Sequence, residues 1–464
     1  MEQKNLKLAV KNFGPIREGE VEFKPLTIFI GPNNSGKSYM ATLLYALLKA
    51  LLDTRRSLYP LRSVPSHFSL SYEELEEIWD WCEELTVLSA SVRSVHPLLM
   101  RYFESQKSDL EASTPGTLRD YFGCQDLSEL ILRNCKNFSI DLSDTGASNP
   151  LVSVIEDMVA SHVDVDIELD SNSSHYMEFL RGMRAVGRDL RSSISLIRDL
   201  WEIALLSKEI PAGGIFYLPA GRSGLLQGWQ LITSLAVGMI GRRIGIQNFE
   251  IPTFPGVARD FTQVLLGMMP PAWDGKRTDH LSHTVSLLES GALGGTIYVQ
   301  AKNNTPAMVY ESDGLQMPIH RTSSMISELA PIHLWMTHLL QVGDVLIIDE
   351  PEAHLHPENQ RLIAQVLVRL MNAGVRVVCT THSSLILHQM SNQILATSSG
   401  KLDEVGFTDH DKLGLEDIGV YLFEPSEDGV YVKEVEVDSD FGISEDEFVR
   451  VAEQIGDETY QLVT

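Results

Sequence analysis

At 464 residues the chain is long for one compact domain and suits a large core with an insertion, or two domains. With 44% hydrophobic and 22% charged residues it reads as globular, and no run approaches the roughly 20 apolar residues of a membrane span. The formal charge of −26, from 37 basic and 63 acidic residues, sets the surface against a phosphate backbone and disfavours extended DNA binding.

The start, Met1-Glu-Gln-Lys-Asn5, has neither region of a signal peptide, and Cys82, Cys124, Cys135 and Cys379 lack C-x-x-C spacing. A reducing cytoplasm and no disulfide framework are the expectation. Residues 6–30 alternate in short apolar runs punctuated by Asn12-Phe-Gly-Pro15 and Lys24-Pro25, which predicts a small antiparallel set of strands. The last run, Leu26–Ile30, leads into Gly31-Pro-Asn-Asn-Ser-Gly-Lys-Ser38 and then a helical pattern from Tyr39 to Leu52.

Strand, glycine loop and helix are the context of a phosphate-binding loop. Gly31 and Gly36 let the backbone curl so that the N–H groups of Asn33, Asn34, Ser35 and Gly36 face a phosphate. Lys37 adds a point charge for the β/γ-phosphates, the Ser38 hydroxyl suits Mg²⁺, and the helix start adds its positive dipole end. The spacing therefore predicts binding of a nucleoside triphosphate.

From Asp53 to Ile210 the character changes. Glu73–Leu85 and Met177–Ser207 have helical periodicity, while Ser143–Pro150 and Asp170–Ser174 are loop-like, so a mostly helical insertion is expected. Within it, Arg181, Arg184, Arg188 and Arg191 form a stripe at helical spacing, read first as a solvated face paired with acids. Ile215–Leu218 is a buried strand ending in a polar loop, helices follow at 225–240 and 257–268, and Thr296–Gln300 with Ala307–Glu311 reads as a hairpin. The region from Glu424 onward holds thirteen acidic and two basic residues, with a strand expected at Val430–Val437 and a final helix at 446–455.

Between these lies Val345-Leu-Ile-Ile-Asp-Glu350, after a helix predicted at 326–340 and before one at 359–372. An apolar strand delivering Asp349 to its C-terminal end suits Mg²⁺ placement, and Glu350 beside it is placed to orient or deprotonate a water. A second buried strand, Val375–Thr380, ends in Thr381-His-Ser-Ser384, putting His382 at the same sheet edge, where it would sense a γ-phosphate.

Asp349-Glu-Pro-Glu-Ala-His-Leu-His-Pro357 resembles the Walker B and D-loop of ABC-type ATPases, in the branch of overcoming-lysogenization-defect (OLD) nucleases, RecF and SMC-like proteins. Asn12–Ile16, Gly31–Ser38 and Thr380–Ser383 belong to the same pattern, which covers roughly residues 5 to 52 and 215 to 395. The resemblance implies that two protomers sandwich ATP and Mg²⁺, each site completed by the other copy's signature helix. That signature falls on Thr322–Leu329, with Ser323 and Ser324 matching and Met325 standing where glycine is usual. The family's Q-loop falls near Arg222–Gln227. About seventy residues follow the last ATPase strand, too few for the TOPRIM domain of OLD nucleases.

The expected fold is α/β: an ABC-type P-loop ATPase with a largely parallel central sheet, an antiparallel β subdomain and a helical insertion. The expected divisions are an N-terminal lobe at 1–52, the insertion at 53–210, the remaining ATPase at 211–400, and an acidic α/β segment at 401–464. The chain is similar to stand-alone ATPases of bacterial anti-phage systems, foremost PARIS and next Septu. That likeness implies a cytoplasmic homo-oligomer, a separate TOPRIM or HNH nuclease effector and a phage-encoded trigger. A RecF- or SMC-like DNA-repair ATPase that clamps DNA is the alternative, and a module using ATP only as structural glue is a third.

Overall fold

The computed structural model describes residues 5–56, 71–84, 97–144, 152–157, 162–167, 213–228, 255–268, 278–302 and 305–444, with 458 and 461. Two compact units share the chain. One comprises Met1–Phe13, Ala46–Arg119 and Cys124–Ile210; the other comprises Gly14–Tyr45, Asp120–Gly123 and Pro211–Thr464.

In the first unit, β1 (Leu6–Phe13) pairs antiparallel with β4 (Asn137–Asp144), β4 with β5 (Val152–Asp157), and β5 with β6 (His162–Ile167). Leu6, Leu8, Val10 and Phe13 of β1 are buried, as are Phe138, Ile140 and Leu142 of β4, the period of two that one buried sheet face requires. The Phe13 and Phe138 rings meet edge to face, 5.5 Å between centroids. Two helices, α2 (Tyr72–Glu84) and α3 (Pro97–Phe122), lie in the stretch expected to be mostly helical. The same stretch also holds β4–β6: Asn137-Phe-Ser-Ile-Asp-Leu-Ser-Asp144 alternates apolar and polar residues, and its partner strand β1 lies more than a hundred residues upstream. The helical pattern at 177–207, including the Arg181–Arg191 stripe, lies outside the described residues.

The second unit holds a seven-stranded run in the order β2-β14-β13-β3-β12-β11-β7. These are Ile16–Phe23, Gly429–Glu434, Ile418–Ser426, Leu26–Ile30, Arg376–Thr380, Val345–Asp349 and Ile215–Leu218 respectively. All neighbouring pairs for β3, β7, β11 and β12 are parallel, and β13 with β14 is the antiparallel pair. Every residue of β3 and β11 is buried, as expected of parallel strands covered on both faces. The P-loop strand β3 is itself flanked by the parallel strands β12 and β13. A separate antiparallel sheet joins β8 (Thr296–Lys302), β9 (Thr305–Ser312) and β10 (Leu315–Pro318).

Helices α4 (Gly256–Gly267), α5 (Ser282–Leu288), α6 (Ser324–His338), α7 (Pro357–Asn372) and α8 (Ser384–Ser399) pack into one core with the sheet, through residues such as Phe261, Leu288, Trp335, Leu367 and Leu387. Each of the last three begins with a side-chain cap: Ser323 accepts from Ile326 N, His356 from Glu358 N, and Ser383 from Ile386 N. Beyond residue 400, β13 lies beside β3 in the same sheet. The expected final helix at 446–455 is outside the described residues. Among the described residues, no helix is long and apolar enough to cross a membrane.

Candidate functional site

Adjacent parallel strands β3, β12 and β11 end together: Phe29 pairs with Thr380, and Thr380 with Asp349. Their C-terminal ends deliver the loop at 31–36, His382, and the Asp349–Glu350 pair to one edge of the sheet, where open α/β sheets bind ligands.

Gly31, Asn34 and Gly36 have φ of +134°, +61° and +95°, so the loop curls through conformations that glycine and asparagine tolerate best. A Cβ on Gly36 would lie 2.7 Å from Pro15 Cγ, and one on Gly31 2.6 Å from the Phe423 carbonyl oxygen. Helix α1 (Lys37–Arg56) starts directly from this curl. Asn33, Asn34 and Ser38 are exposed, while Ser35, Gly36 and Lys37 are buried. Lys37 Nζ donates to the carbonyls of Gly31 (3.0 Å) and Pro32 (2.7 Å), with Ser35 Oγ at 3.4 Å. Burial lowers its pKa to about 8, opposed by the nearby carboxylates of Glu350, Asp349 and Glu352.

Asp349 is buried and held from several sides. Tyr217 OH donates to Oδ2 at 2.6 Å, Thr380 Oγ1 donates to Oδ1 at 2.8 Å, and the Ser38 hydroxyl also bonds it. Burial raises the Asp349 pKa, and these three hydrogen bonds oppose the rise. Ser38 and Asp349 thus converge as one hydroxyl and one carboxylate. Among the described residues no group of three or more His, Cys, Asp or Glu forms a metal cage. Two hard oxygen donors fit Mg²⁺, which keeps most of its shell for waters and phosphates.

Glu350 follows with φ of +45°, a strained value for a non-glycine residue, and its N–H donates to the Thr380 carbonyl at 3.0 Å. His382 Nε2 lies 3.7 Å from Glu350 Oε1. Burial and then the Lys37 charge lower the His382 pKa, opposed by Glu350 and a hydrogen bond to the Gly31 backbone, so the ring is neutral at pH 7. Its loop is fastened by Glu352, whose Oε1 accepts from His382 N (2.6 Å) and Thr381 Oγ1 (2.8 Å).

The structure therefore brings together Lys37, Ser38, Asp349, Glu350 and His382 with the 33–36 loop. Ser323 and Ser324 stand apart, exposed at the start of α6, and no described contact links them to that loop. Met325 is half-buried, its sulfur accepting from Asn359 Nδ2 of α7 at 2.9 Å. Tyr217, Thr380 and Glu352 are site residues that sequence reading did not single out. A tyrosine in the short buried run Ile215–Leu218 was the available signal, since a buried phenol needs a hydrogen-bond partner.

Residues 6–111 match the family described as AAA ATPase domain, and residues 309–388 match AAA domain, putative AbiEii toxin, Type IV TA system. The first segment contains Lys37 and Ser38, the second Asp349, Glu350 and His382. The phosphonates import ATP-binding protein PhnC 2 of Rhodopseudomonas palustris (strain BisB18) is 32% identical over 65 residues, which span 14% of this chain and 24% of that protein. Solved structures that are similar include the Smc head bound to the C-winged helix domain of ScpA, 11% identical, covering 93% of this chain and 97% of that one, with TM-score 0.42. The SMC head domain from Thermotoga maritima is 10% identical, with coverages of 93% and 100% and TM-score 0.36. The residues gathered at this sheet edge thus fall in two segments, far apart in sequence, that each match an AAA-domain description.

Proposed function

We propose that this chain is an ATP-hydrolysing subunit of a bacterial anti-phage complex, one that oligomerises and controls a separate nuclease or toxin effector. The observation that carries the hydrolytic reading is the convergence of Lys37, Ser38, Asp349, Glu350 and His382 at one sheet edge. The loop N–H groups and Lys37 bind the β- and γ-phosphates, and Ser38 with Asp349 would hold Mg²⁺. When bound, that ion neutralises charge on the phosphate oxygens. Glu350 orients a water and takes its proton as the water oxygen bonds to the γ-phosphorus and the bond to the β–γ bridging oxygen breaks, leaving ADP and phosphate. His382, neutral and near Glu350, contacts the γ-phosphate.

Ser323 and Ser324, exposed at a helix start, are suited to a second copy's γ-phosphate, which makes the functional unit a homo-oligomer. The matched description naming a toxin and a type IV system, together with the acidic charge, favours a protein effector over genomic DNA. On this reading the chain is similar to PARIS-type ATPases, with a TOPRIM or HNH nuclease as effector and a phage product as trigger.

The test pairs wild type with Glu350→Gln in fluorescent-ATP binding and phosphate-release assays. Binding within a few fold of wild type and a loss of turnover of about a hundredfold or more are expected. A wild type that binds ATP without turnover would overturn the hydrolytic reading. The effector part is tested by the neighbouring gene and by plaque counts on cells carrying both: protection lost with Lys37→Ala supports it, and protection indifferent to Lys37 refutes it.

A further inference from the structure

Arg222 follows β7 in Pro219-Ala-Gly-Arg222 and is completely buried, its side chain 0% exposed. A guanidinium is always charged and carries five donors in a rigid fork, so such burial needs many partners. Arg222 has four carbonyls: Nη1 donates to Asp349 O at 2.7 Å and Pro219 O at 3.2 Å, Nη2 to Glu350 O at 3.2 Å, and Nε to Glu328 O at 3.2 Å. Its counter-charge is the Glu328 carboxylate, also 0% exposed, with Oε1 at 3.0 Å from Nη2. This is a charge contact, since neither Glu328 carboxylate oxygen has a hydrogen-bond partner among the described residues.

Two features make this more than a buried pair. The clamped carbonyls belong to Asp349 and Glu350, and Glu350 is the residue held at φ +45°. A left-handed glutamate persists only where its surroundings over-determine it. Here Thr380 holds its N–H and Arg222 its carbonyl. The other end of the clamp, Glu328, lies in α6, one turn beyond the exposed Ser323 and Ser324. One rigid fork therefore spans the helix offered to a second copy and the strained turn that aims Glu350.

Resting on the hydrolytic reading above, we infer that Arg222 is a positioning residue: with Glu328 it holds the Glu350 backbone in its strained conformation and ties that conformation to the placement of α6. Engagement of the α6 start by another copy's nucleotide then reaches Glu350 of the same chain through one side chain.

The test uses full-length Arg222→Lys, which keeps the charge and loses the fork, and Glu328→Gln, which keeps shape and loses the charge. Folding is checked by thermal melts, fluorescent-ATP affinity and single-turnover hydrolysis are measured, and wild type and Glu350→Gln run alongside. The expected result is a fall in the hydrolysis rate of about a hundredfold, as for a misplacement near 1 Å, with ATP affinity changed less than about threefold. Adding Arg222→Lys to Glu350→Gln should cost nothing further, because Arg222 acts through Glu350. Rate and affinity falling together, losses that multiply in the double variant, wild-type hydrolysis in Arg222→Lys, or loss of the fold in both variants would each overturn the proposal. Inactive wild type, or an active Glu350→Gln, would instead refute the hydrolytic reading on which it stands.

Discussion

Lys37 is the residue through which pH enters this site. Its ammonium is buried against the Gly31 and Pro32 carbonyls, and burial brings its pKa from an ordinary 10.5 to about 8. With the folded value depressed, the cost of burying the charge is present below about pH 8 and is relieved as pH rises from there towards 10.5. Phosphates favour the charged form, so nucleotide binding near pH 8.5 should take up a proton. Calorimetry in two buffers of different ionisation enthalpy measures that uptake. Binding at pH 9 should be about fivefold weaker than at pH 8 as the charged fraction falls, and Lys37→Ala should show no uptake. At this scale the motif residues were legible in sequence because each chemistry has few suitable residue types. Tyr217 and Glu352 were not, since their roles depend on neighbours more than thirty positions away or on a loop's fold.

Among the elements, α6 and α4 are joined by Trp335 stacked on Phe261, with ring centroids 5.2 Å apart and planes at 29°. Both side chains are buried in the core that backs β11 and β12. Trp335→Ala should cost about 3–5 kcal/mol and lower the melting temperature by about ten degrees, read by scanning calorimetry. A change of under two degrees would show that the stack is not a support of α6. Helical and buried-strand periods at 326–340, 345–350, 359–372 and 375–380 were readable because their local patterns agree with their burial. The strands at 137–144, 152–157 and 162–167 were passed over although 137–144 alternates cleanly, because nothing local names a partner as distant as β1. Likewise β13 and β14 read as part of an acidic tail, yet β13 lies beside the P-loop strand, a neighbour chosen by tertiary packing.

The molecule as a whole carries a formal charge of −26. That charge opposes a DNA clamp, whose affinity would come mainly from neutralised phosphates and would fall steeply with salt. Fluorescence anisotropy with a labelled duplex, with and without ATP, should show little binding at physiological salt. Tight binding with a steep negative slope against salt would move the function towards the RecF- or SMC-like alternative.

The loop at Gly31–Ser38 was decided by sequence alone, as was the apolar strand ending in Asp349-Glu350: both depend on residues adjacent in the chain, so local spacing suffices to specify their chemistry. The tertiary structure decided what stands around them. Parallel pairing of β3, β12 and β11 brings positions some 310 residues apart within hydrogen-bonding reach, and burial makes Arg222, which sequence places only near a Q-loop, the link between Glu328 and the Glu350 backbone. Such partners are set by packing across the core, where no local pattern records who meets whom.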